Sequence, residues 1–510
     1  SFQQLLRAIA AVGGQRPMTA ASLPSRRSPP PAPRPSRRGL ILGGGAAVLA
    51  AGGGLLAWRA GLFADATAAN SIAVLPFANL SGDAAQDYFS EGLAEEVRTT
   101  LSSSAQLAVA AQTSSSEKQF AELDPRAIAA KLDVAFLLDG SVRRDADQLR
   151  IAARLIDGTS GVEKWAQSFD RTAADALAVQ SEIATLVADA LAAKLAGSGD
   201  RNAPRVGGTR DPRAFDAYAR GRALYRLAAD EASDRAALAA FDEAIARDPD
   251  QAAAHAERAR ALTVIANNYA KGDQLKSLYA RAVDAAQQAV RLAPTLAEGH
   301  GALGFALFNG RLDARAAAAP YQQSFTLGFG NADILAAFAN FAARTGRFAD
   351  ARAAIARAQR LDPLNPSVFR NAGVIEYVAR DYHAAAAPLG AALSLNPKVS
   401  GVHAILGDIA LLGGDAAGAR ARYAREPNRL TQLRGLAIAD ARLGQAEAAQ
   451  AGLQQMIAKY GDNSLYQQAQ VRAQWGEGDA ALTALEAALA AGDSGLVQLR
   501  NDPLLDPVRS

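Results

Sequence analysis

The sequence predicts a mainly α-helical chain, with a membrane-anchored small α/β domain followed by a long α-helical solenoid. Three observations predict it. Pro363 and Pro397 stand 34 residues apart, each behind a helical run and an Asp or Asn, and that period is the spacing of stacked helix pairs. Residues 71–169 carry short apolar runs cut by turn residues, which is a strand pattern. Between 39 and 58, twenty consecutive residues are uncharged. A chain of 510 residues has room for two or three such domains.

Composition narrows the function. The net charge is +3, yet the first 38 residues hold seven arginines and no acid, so the remaining chain sums to −4. The body is therefore no basic nucleic-acid binder. With no cysteine, disulfides, thiol nucleophiles and cysteine–zinc sites are excluded. Four histidines and 6% aromatics leave little for metalloenzyme chemistry, while abundant alanine suits closely packed helices. No catalytic, cofactor-binding or metal-binding residue is assigned, no cofactor is expected, and the residues given are not expected to form an enzyme.

Residues 1–14 are read as the end of a truncated cytoplasmic domain. Phe2, Leu5, Leu6, Ile9 and Val12 fall on one face of a short helix closed by Gly13 and Gly14. Residues 15–38 form a Pro/Arg-rich linker. Residues 39–63 are assigned to a transmembrane helix, because twenty residues span about 30 Å at roughly 1.5 Å each. Arginines crowd its amino side, which leaves that end in the cytoplasm and the rest in the periplasm of a bacterial inner membrane. Trp58 sits where an interfacial aromatic would. Gly39, Gly43, Ala47 and Ala51 recur every fourth residue and suit a helix–helix contact, the basis for expecting a homodimer. A merely Gly/Ala-rich span is the plainer reading of that stripe. Ser36-Arg37-Arg38-Gly39-Leu40-Ile41-Leu42 also resembles a twin-arginine export signal, with Ala64-Asp65-Ala66 as a cleavage site. The alternative of a released scaffold stays open.

Residues 70–197 read as one α/β unit. Strands are predicted at 71–77, 107–110, 134–143, 149–156 and 162–169, with helices at 87–102, 126–132 and 177–195. Pro125 opens the second helix at its first turn. The strings IAVLPFANLSGDAAQDYFSEGLAEEV, FLLDGSVRRD, LRIAARLIDGTSGVEKWAQSFDR and VQSEIA resemble a TolB-N-like (FlgO-related) domain over nearly all of 71–195. That resemblance implies a non-catalytic, extracytoplasmic module, set between an anchor and tetratricopeptide repeats in bacterial membrane proteins. One departure is Gln112, where the family carries Arg before the Thr-Ser pair. Asp83, Asp87, Glu91, Glu95 and Glu96 are candidates for acid/base work, but acids early in a helix more often favour its dipole. Arg143 and Arg144 could meet an anion, although solvated strand charges are the commoner case. Gly140-Ser141-Val142 lacks the spacing of a phosphate loop.

After a linker at 198–211, residues 212–491 carry about eight units of the tetratricopeptide period. In the unit over 366–397, Gly373 permits close helix approach, Ala385 and Ala392 are small packing positions, Phe369 and Leu389 fill the gap, and Pro397 ends the second helix. Gly304, Gly407 and Ala419 take corresponding places elsewhere. Pro249 and Pro294 are 45 apart, so an insertion of about eleven residues is expected near Asn267 to Leu275. His300 and His403 share one motif position and read as structural, while His255 and His383 read as surface or boundary residues. Residues 492–510 are assigned as a cap, resembling the end of TolB-like/tetratricopeptide chains. Each unit buries its apolar stripe against its neighbours, leaving a concave inner face for a protein or peptide ligand.

The expected function is the non-catalytic, protein-binding sensor region of a single-pass inner-membrane signalling protein. The alternative is a piece of a multidomain signalling enzyme or regulator whose active domain precedes Ser1. Related chains begin with a Toll/interleukin-receptor-type, nucleotide cyclase or winged-helix domain, and the stub at 1–9 resembles the closing helix of the first.

Overall fold

The computed structural model describes residues 71–509, apart from 103–106, 117–119, 121, 146–147, 173–181, 184–185, 187–205 and 228–229. The amino-terminal stub, the linker and the apolar span, with Gly39, Gly43, Ala47, Ala51 and Trp58, lie outside the described residues. So does most of the helix expected over 177–195. Among the described residues, no helix is long and apolar enough to cross a membrane.

The α/β domain is a sheet with helices on both faces. Its strands are β1 (Ser71–Val74), β2 (Ala78–Asn79), β3 (Ala108–Val109), β4 (Phe136–Asp145), β5 (Gln148–Asp157) and β6 (Glu163–Thr172). The sheet order is β3-β1-β4-β5-β6, with β2 pairing beside β4. The strands that follow crossovers pair in parallel, Ile72 opposite Phe136, whereas β4, β5 and β6 run antiparallel, Val142 opposite Ile151. Alternation along each strand sends side chains to opposite faces. Ile72, Val74 and Leu138 meet Phe89, Leu93, Val97 and Leu101 of helix α1 (Asp87–Ser102). Ala73, Leu137 and Ile156 meet Ile128, Ala129 and Leu132 of α3 (Pro125–Leu132). A short α2 (Gln112–Ser115) lies between them.

Eight antiparallel helix pairs follow among the described residues. They are α4 (Pro212–Leu227) with α5 (Glu231–Arg247), α6 (Ala252–Tyr269) with α7 (Gly272–Leu292), and α8 (Ala297–Phe305, continued by a π turn to Gly310) with α9 (Ala314–Leu327). Next come α10 (Ala332–Arg344) with α11 (Phe348–Leu361), and α12 (Pro366–Val378) with α13 (Tyr382–Leu395). The last are α14 (Val402–Leu412) with α15 (Ala416–Tyr423), α16 (Arg429–Arg442) with α17 (Ala446–Tyr460), and α18 (Leu465–Gln474) with α19 (Gly478–Ala491). The array is thus a tetratricopeptide-type helical solenoid.

Local chemistry punctuates it. Side chains of Asn331, Asn365, Asp381, Asp415 and Asn428 accept from backbone N–H groups at helix starts. The turn within a pair needs a residue at positive φ, supplied by Gly346, Gly414, Gly444 and Gly476 and, in the α12–α13 unit, by Arg380 at φ 68°.

Within a pair, a small residue of the first helix lies under a large one of the second. A Cβ on Gly373 would stand 2.5 Å from Leu389, one on Gly407 2.5 Å from Tyr423, and one on Gly304 2.8 Å from Tyr321. Ala385, Leu389, Ala392 and Ala419 are each 0% exposed. Pro397 begins the turn between α13 and α14.

The insertion falls where expected, at the tip between α6 and α7. The α6 and α7 helices hold 18 and 21 residues, against 13 and 14 in α12 and α13, so the surplus lengthens both helices and is not a loop. Their extended tip carries Lys271 and Leu275 to the far end of the array, against Gly461 and Gly492. The solenoid therefore comes round to touch itself. Residues 492–509 complete the closure. Leu504 and Leu505 are fully buried, and Asn501 Nδ2 donates to the carbonyls of Ala343 and Arg344 at 2.9 and 3.1 Å.

Replacing Gly373 by Val forces Leu389 out of place, an overpacking that costs about 1–3 kcal/mol. Gly373→Val is expected to lower the urea midpoint while Val374→Ala at the next position moves it less. Equal midpoints for wild type and Gly373→Val would show that the helices need no small residue there.

Candidate functional site

The first helix of each pair faces inward, and the expected site was this open concave face. The structure fills much of it from within the chain. Phe215 and Ala219 of α4 join the core of the α/β domain, with Phe89 edge-on to Phe215 at 5.9 Å and Gly92 against Ala219. Over its amino-terminal half the concave surface is thus a domain interface. The physical reason is the apolar face that α1 would otherwise leave in water.

Polar contacts fix the register of this interface. Tyr88 Oη donates to Asp216 at 2.7 Å, and Arg226 pairs with Glu91 and donates to Gln112. Gln112, the departure from the family pattern, thus meets an arginine where an arginine would repel it. The Ala111 N–H donates to the Leu361 carbonyl at 2.8 Å. The Ser114 N–H and Oγ both donate to Asp362 Oδ1, and the Leu364 N–H donates to Ser114 Oγ. Asp362 is fully buried, and that burial raises its carboxyl to about 6 despite the donors from Ser114 and Asn365.

The acids singled out in the sequence are mostly spoken for. Asp83 caps a short 3-10 turn, Asp87 accepts from Asn79, and Glu96 is buried. Burial pushes the Glu95 carboxyl up, but Arg222 and Arg98 outweigh it and hold the pKa at about 2. That places a permanent carboxylate at the interface, unsuited to exchanging a proton near neutral pH. Arg144 lies over the Phe89 ring at 5.3 Å and 3.9 Å from Asp216, while Arg143 is exposed.

Two polar cavities remain on the inner face. The first, about 550 Å³, lies between α1 with the β3–α2 segment on one wall and α4, α6, α8 and α10 on the other. The acids of the α/β wall are paired, Glu95 with Arg98 and, across the cavity, with Arg222 of α4, and Glu91 with Arg226 of α4. On the repeat wall, Tyr225, Glu257, Arg260, Glu298 and Asp333 line the cavity, and none has a side-chain hydrogen bond or ion pair among the described residues. Glu257 is only 7% exposed. Burial raises the Asp333 carboxyl, and Arg260 partly offsets this.

The second, about 370 Å³, is enclosed by α10, α12, α14, α16 and α18 and by the returning tail at 498–502. Its floor is a buried network. Asp408 accepts from Arg434 and from Tyr423 Oη, both at 2.7 Å, and from Tyr377 Oη at 3.3 Å. Asp502 accepts from Tyr466 Oη and Gln470 Nε2, each at 2.6 Å. Arg344 and Arg370 also line this cavity without forming an ion pair among the described residues. Arg370 donates only to the Ser400 carbonyl and Asn371 Oδ1, each at 3.3 Å. Burial lowers both guanidinium pKa values, though the groups stay charged. Gln467 Oε1 is buried there without a donor. The sequence alone assigned none of these residues to a site. The available signal was the recurrence of polar residues on the inner stripe of successive first helices.

His255, His300 and His403 behave as packing residues, and His383 is exposed. Nε2 of His255 and of His300 meets the carbonyl of the proline six residues earlier, at 2.9 and 2.8 Å. His255 therefore shares the position of His300, and His403 stands at the same offset from Pro397, buried with Nδ1 unpartnered. Among the described residues no group of three His, Cys, Asp or Glu is placed to hold a metal ion.

No protein-family model matches the chain. Over 241 residues, 46% of the chain, it is 39% identical to a protein of Rhizobium meliloti (strain 1021) named putative adenylate cyclase 3. The chain spans 40% of that relative's length. Solved structures that share helical-repeat architecture include PilF of Pseudomonas aeruginosa, at 19% identity and TM-score 0.31, covering 40% of this chain and 93% of that one. The repeat protein YrrB, described with an unusual peptide-binding site, gives 20% and 0.26, covering 39% and 91%. The Cut9–Hcn1 assembly of the APC/C gives 16% and 0.40, covering 58% and 55%. Those scores are too low to place this chain's ligand, and the tetratricopeptide reading rests on its own repeats.

The Asp362 contact carries a pH signature. Its folded pKa of about 6 exceeds the usual carboxylate value of 3.8, so between these values the folded state binds more protons and stability falls as pH rises. Asp362→Asn is expected to flatten the decline between about pH 4 and 6 in melts of the purified chain. An unchanged slope would place the titration elsewhere.

Proposed function

We propose that this chain is the protein-binding, non-catalytic sensor region of a single-pass bacterial inner-membrane signalling protein. In this reading the segment 39–63 crosses the membrane and the TolB-N-like domain with its solenoid lies in the periplasm. The observation that carries the binding part is the cavity at the inner face of α10 to α18. Arg344 and Arg370 stand there without carboxylate partners, next to hydrogen-bonding groups spaced along a groove. Such a lining suits an extended peptide segment that presents a carboxylate, since a guanidinium forms its strongest contacts with that group. No step of bond chemistry is assigned to it.

A second reading is favoured by one observation, the 39% identity to a protein named putative adenylate cyclase. Here the solenoid is the sensory part of a nucleotide cyclase whose catalytic domain belongs to a longer parent chain. The two readings share the binding role and differ in the output.

Two measurements test the proposal. Fluorescence anisotropy with labelled peptides should show acidic peptides binding, with affinity falling about tenfold or more in Arg344→Ala/Arg370→Ala, roughly 1.4 kcal/mol or more. Equal binding of basic peptides, or no loss in the double variant, would sink the peptide reading. Reporter fusions at Met18 and after Thr209 should report cytoplasm and periplasm, and cytoplasm at both would remove the membrane part.

A further inference from the structure

The larger cavity poses a separate problem. The acids of its α/β wall are paired, Glu95 with Arg98 and with Arg222 of α4, and Glu91 with Arg226 of α4. The acids of the repeat wall are not. Glu257, Glu298 and Asp333 line the space together with Arg260 and the Tyr225 hydroxyl, and none of the five has a side-chain hydrogen bond or ion pair among the described residues. Glu257 is more than nine-tenths buried. A buried carboxylate without a donor is costly, and in a settled fold it is paired or hydrogen-bonded. The lining as a whole holds five acids, Glu91 and Glu95 with these three, against four arginines, Arg98, Arg222, Arg226 and Arg260, so one negative charge is in excess. The three acids without a hydrogen-bond donor call for a component that donates hydrogen bonds and carries positive charge. A metal ion does not fit, because no three of these acids converge closely enough to coordinate one. An organic ammonium does, since each N–H donor can reach a different carboxylate over several ångströms. The volume, about 550 Å³, falls within the range of small-molecule sites, roughly 300–1,000 Å³.

We propose that the cavity between the α/β domain and the first helices of the repeats binds a small organic cation bearing amine or guanidinium groups. Glu257, Glu298 and Asp333 take its positive groups, and the Tyr225 hydroxyl accepts or donates beside them. Two sources present this chemistry. A polyamine offers ammonium groups alone, whereas a basic amino acid adds a carboxylate, for which Arg260 is the free partner. Because both domains line the site, an occupant tightens their contact. This inference does not rest on the peptide reading, whose arginines line the other cavity.

Calorimetry and thermal melting of the full chain decide it, with spermidine, putrescine, arginine and lysine as probes and glutamate, phosphate and Mg²⁺ as controls. At least one amine probe is expected to bind and to raise the melting temperature, with affinity reduced tenfold or more in Glu257→Gln. Glu298→Gln, at a less buried position, serves the same purpose should Glu257→Gln fail to fold. Arg260→Gln distinguishes the sources, weakening arginine or lysine and sparing spermidine. The proposal is overturned if no amine probe binds, if binding is unchanged in both glutamate variants, or if glutamate, phosphate or Mg²⁺ binds in preference. Loss of peptide binding in the Arg344→Ala/Arg370→Ala variant with amine binding intact would separate the two sites.

Discussion

The structure depends on how closely two helices of a pair can approach. In four pairs a glycine on the first helix lies beneath a large side chain of the second. The pairs are Gly221 with Phe241, Gly304 with Tyr321, Gly373 with Leu389, and Gly407 with Tyr423. In each case a Cβ on the glycine would come within 2.8 Å or less of that side chain. The approach brings backbones together and buries the aromatic or leucine completely or nearly so. Interiors are close-packed, so this spacing is transmitted from unit to unit and sets the curvature. Stacked wedges of this kind bend the array until its end returns to its beginning. The long α6–α7 tip then meets the last pair.

Closure changes what an inner face is. In an open solenoid it is a solvated groove. Here it is divided, with its amino-terminal part occupied by the α/β domain and its carboxy-terminal part roofed by the tail around Asn501 and Asp502. Polar side chains that would be harmless in water then become expensive unless they are paired. The protein pairs most of them. Arg434, Tyr423 and Tyr377 converge on Asp408, and Tyr466 and Gln470 converge on Asp502. The exceptions, Arg344 and Arg370 in one cavity and Glu257 with its neighbours in the other, stand out against that background. Their signs are opposite.

Much of the fold was legible because it is written in local periodicity. The apolar run at 71–77, the strand pattern at 149–156 and the proline spacing at 363 and 397 are short-range signals, and helix α1 matches the expected bounds of 87–102. The eleven-residue surplus was legible in length and in place, near 267–275, but not in form. Nothing local shows that it extends both helices, and the gain from reaching Gly461 and Gly492 appears only once the array has closed. Arg380 was missed for a related reason. It sits 34 residues after Gly346 and 34 before Gly414, yet its identity hides that it shares their positive φ. The candidate sites were not legible at all. Arg344 and Arg370 lie on different helices, and whether an inward arginine or glutamate is paired depends on elements up to a hundred residues away or more.

One element belongs to both cavities. Helix α10 begins at the domain interface, where Asp333 lines the first cavity, and ends in the second, where Asn340 and Arg344 line the wall. Its thirteen residues span about 20 Å at roughly 1.5 Å per residue. At its end the tail is tied down, Asn501 donating to the last carbonyls. At its start Gly330 packs against the backbone of Ser102 in the α/β domain. The helix is thus tied to the tail at one end and to the α/β domain at the other. A shared helix does not by itself couple the two cavities. Coupling requires two arrangements of that helix, and ligands that bind one arrangement better than the other. The contacts that hold the α/β domain to the repeats are those of Asp362 with Ser114, Glu95 with Arg222 and Phe89 with Phe215. Any such second arrangement has to break or remake those contacts and not the repeat cores.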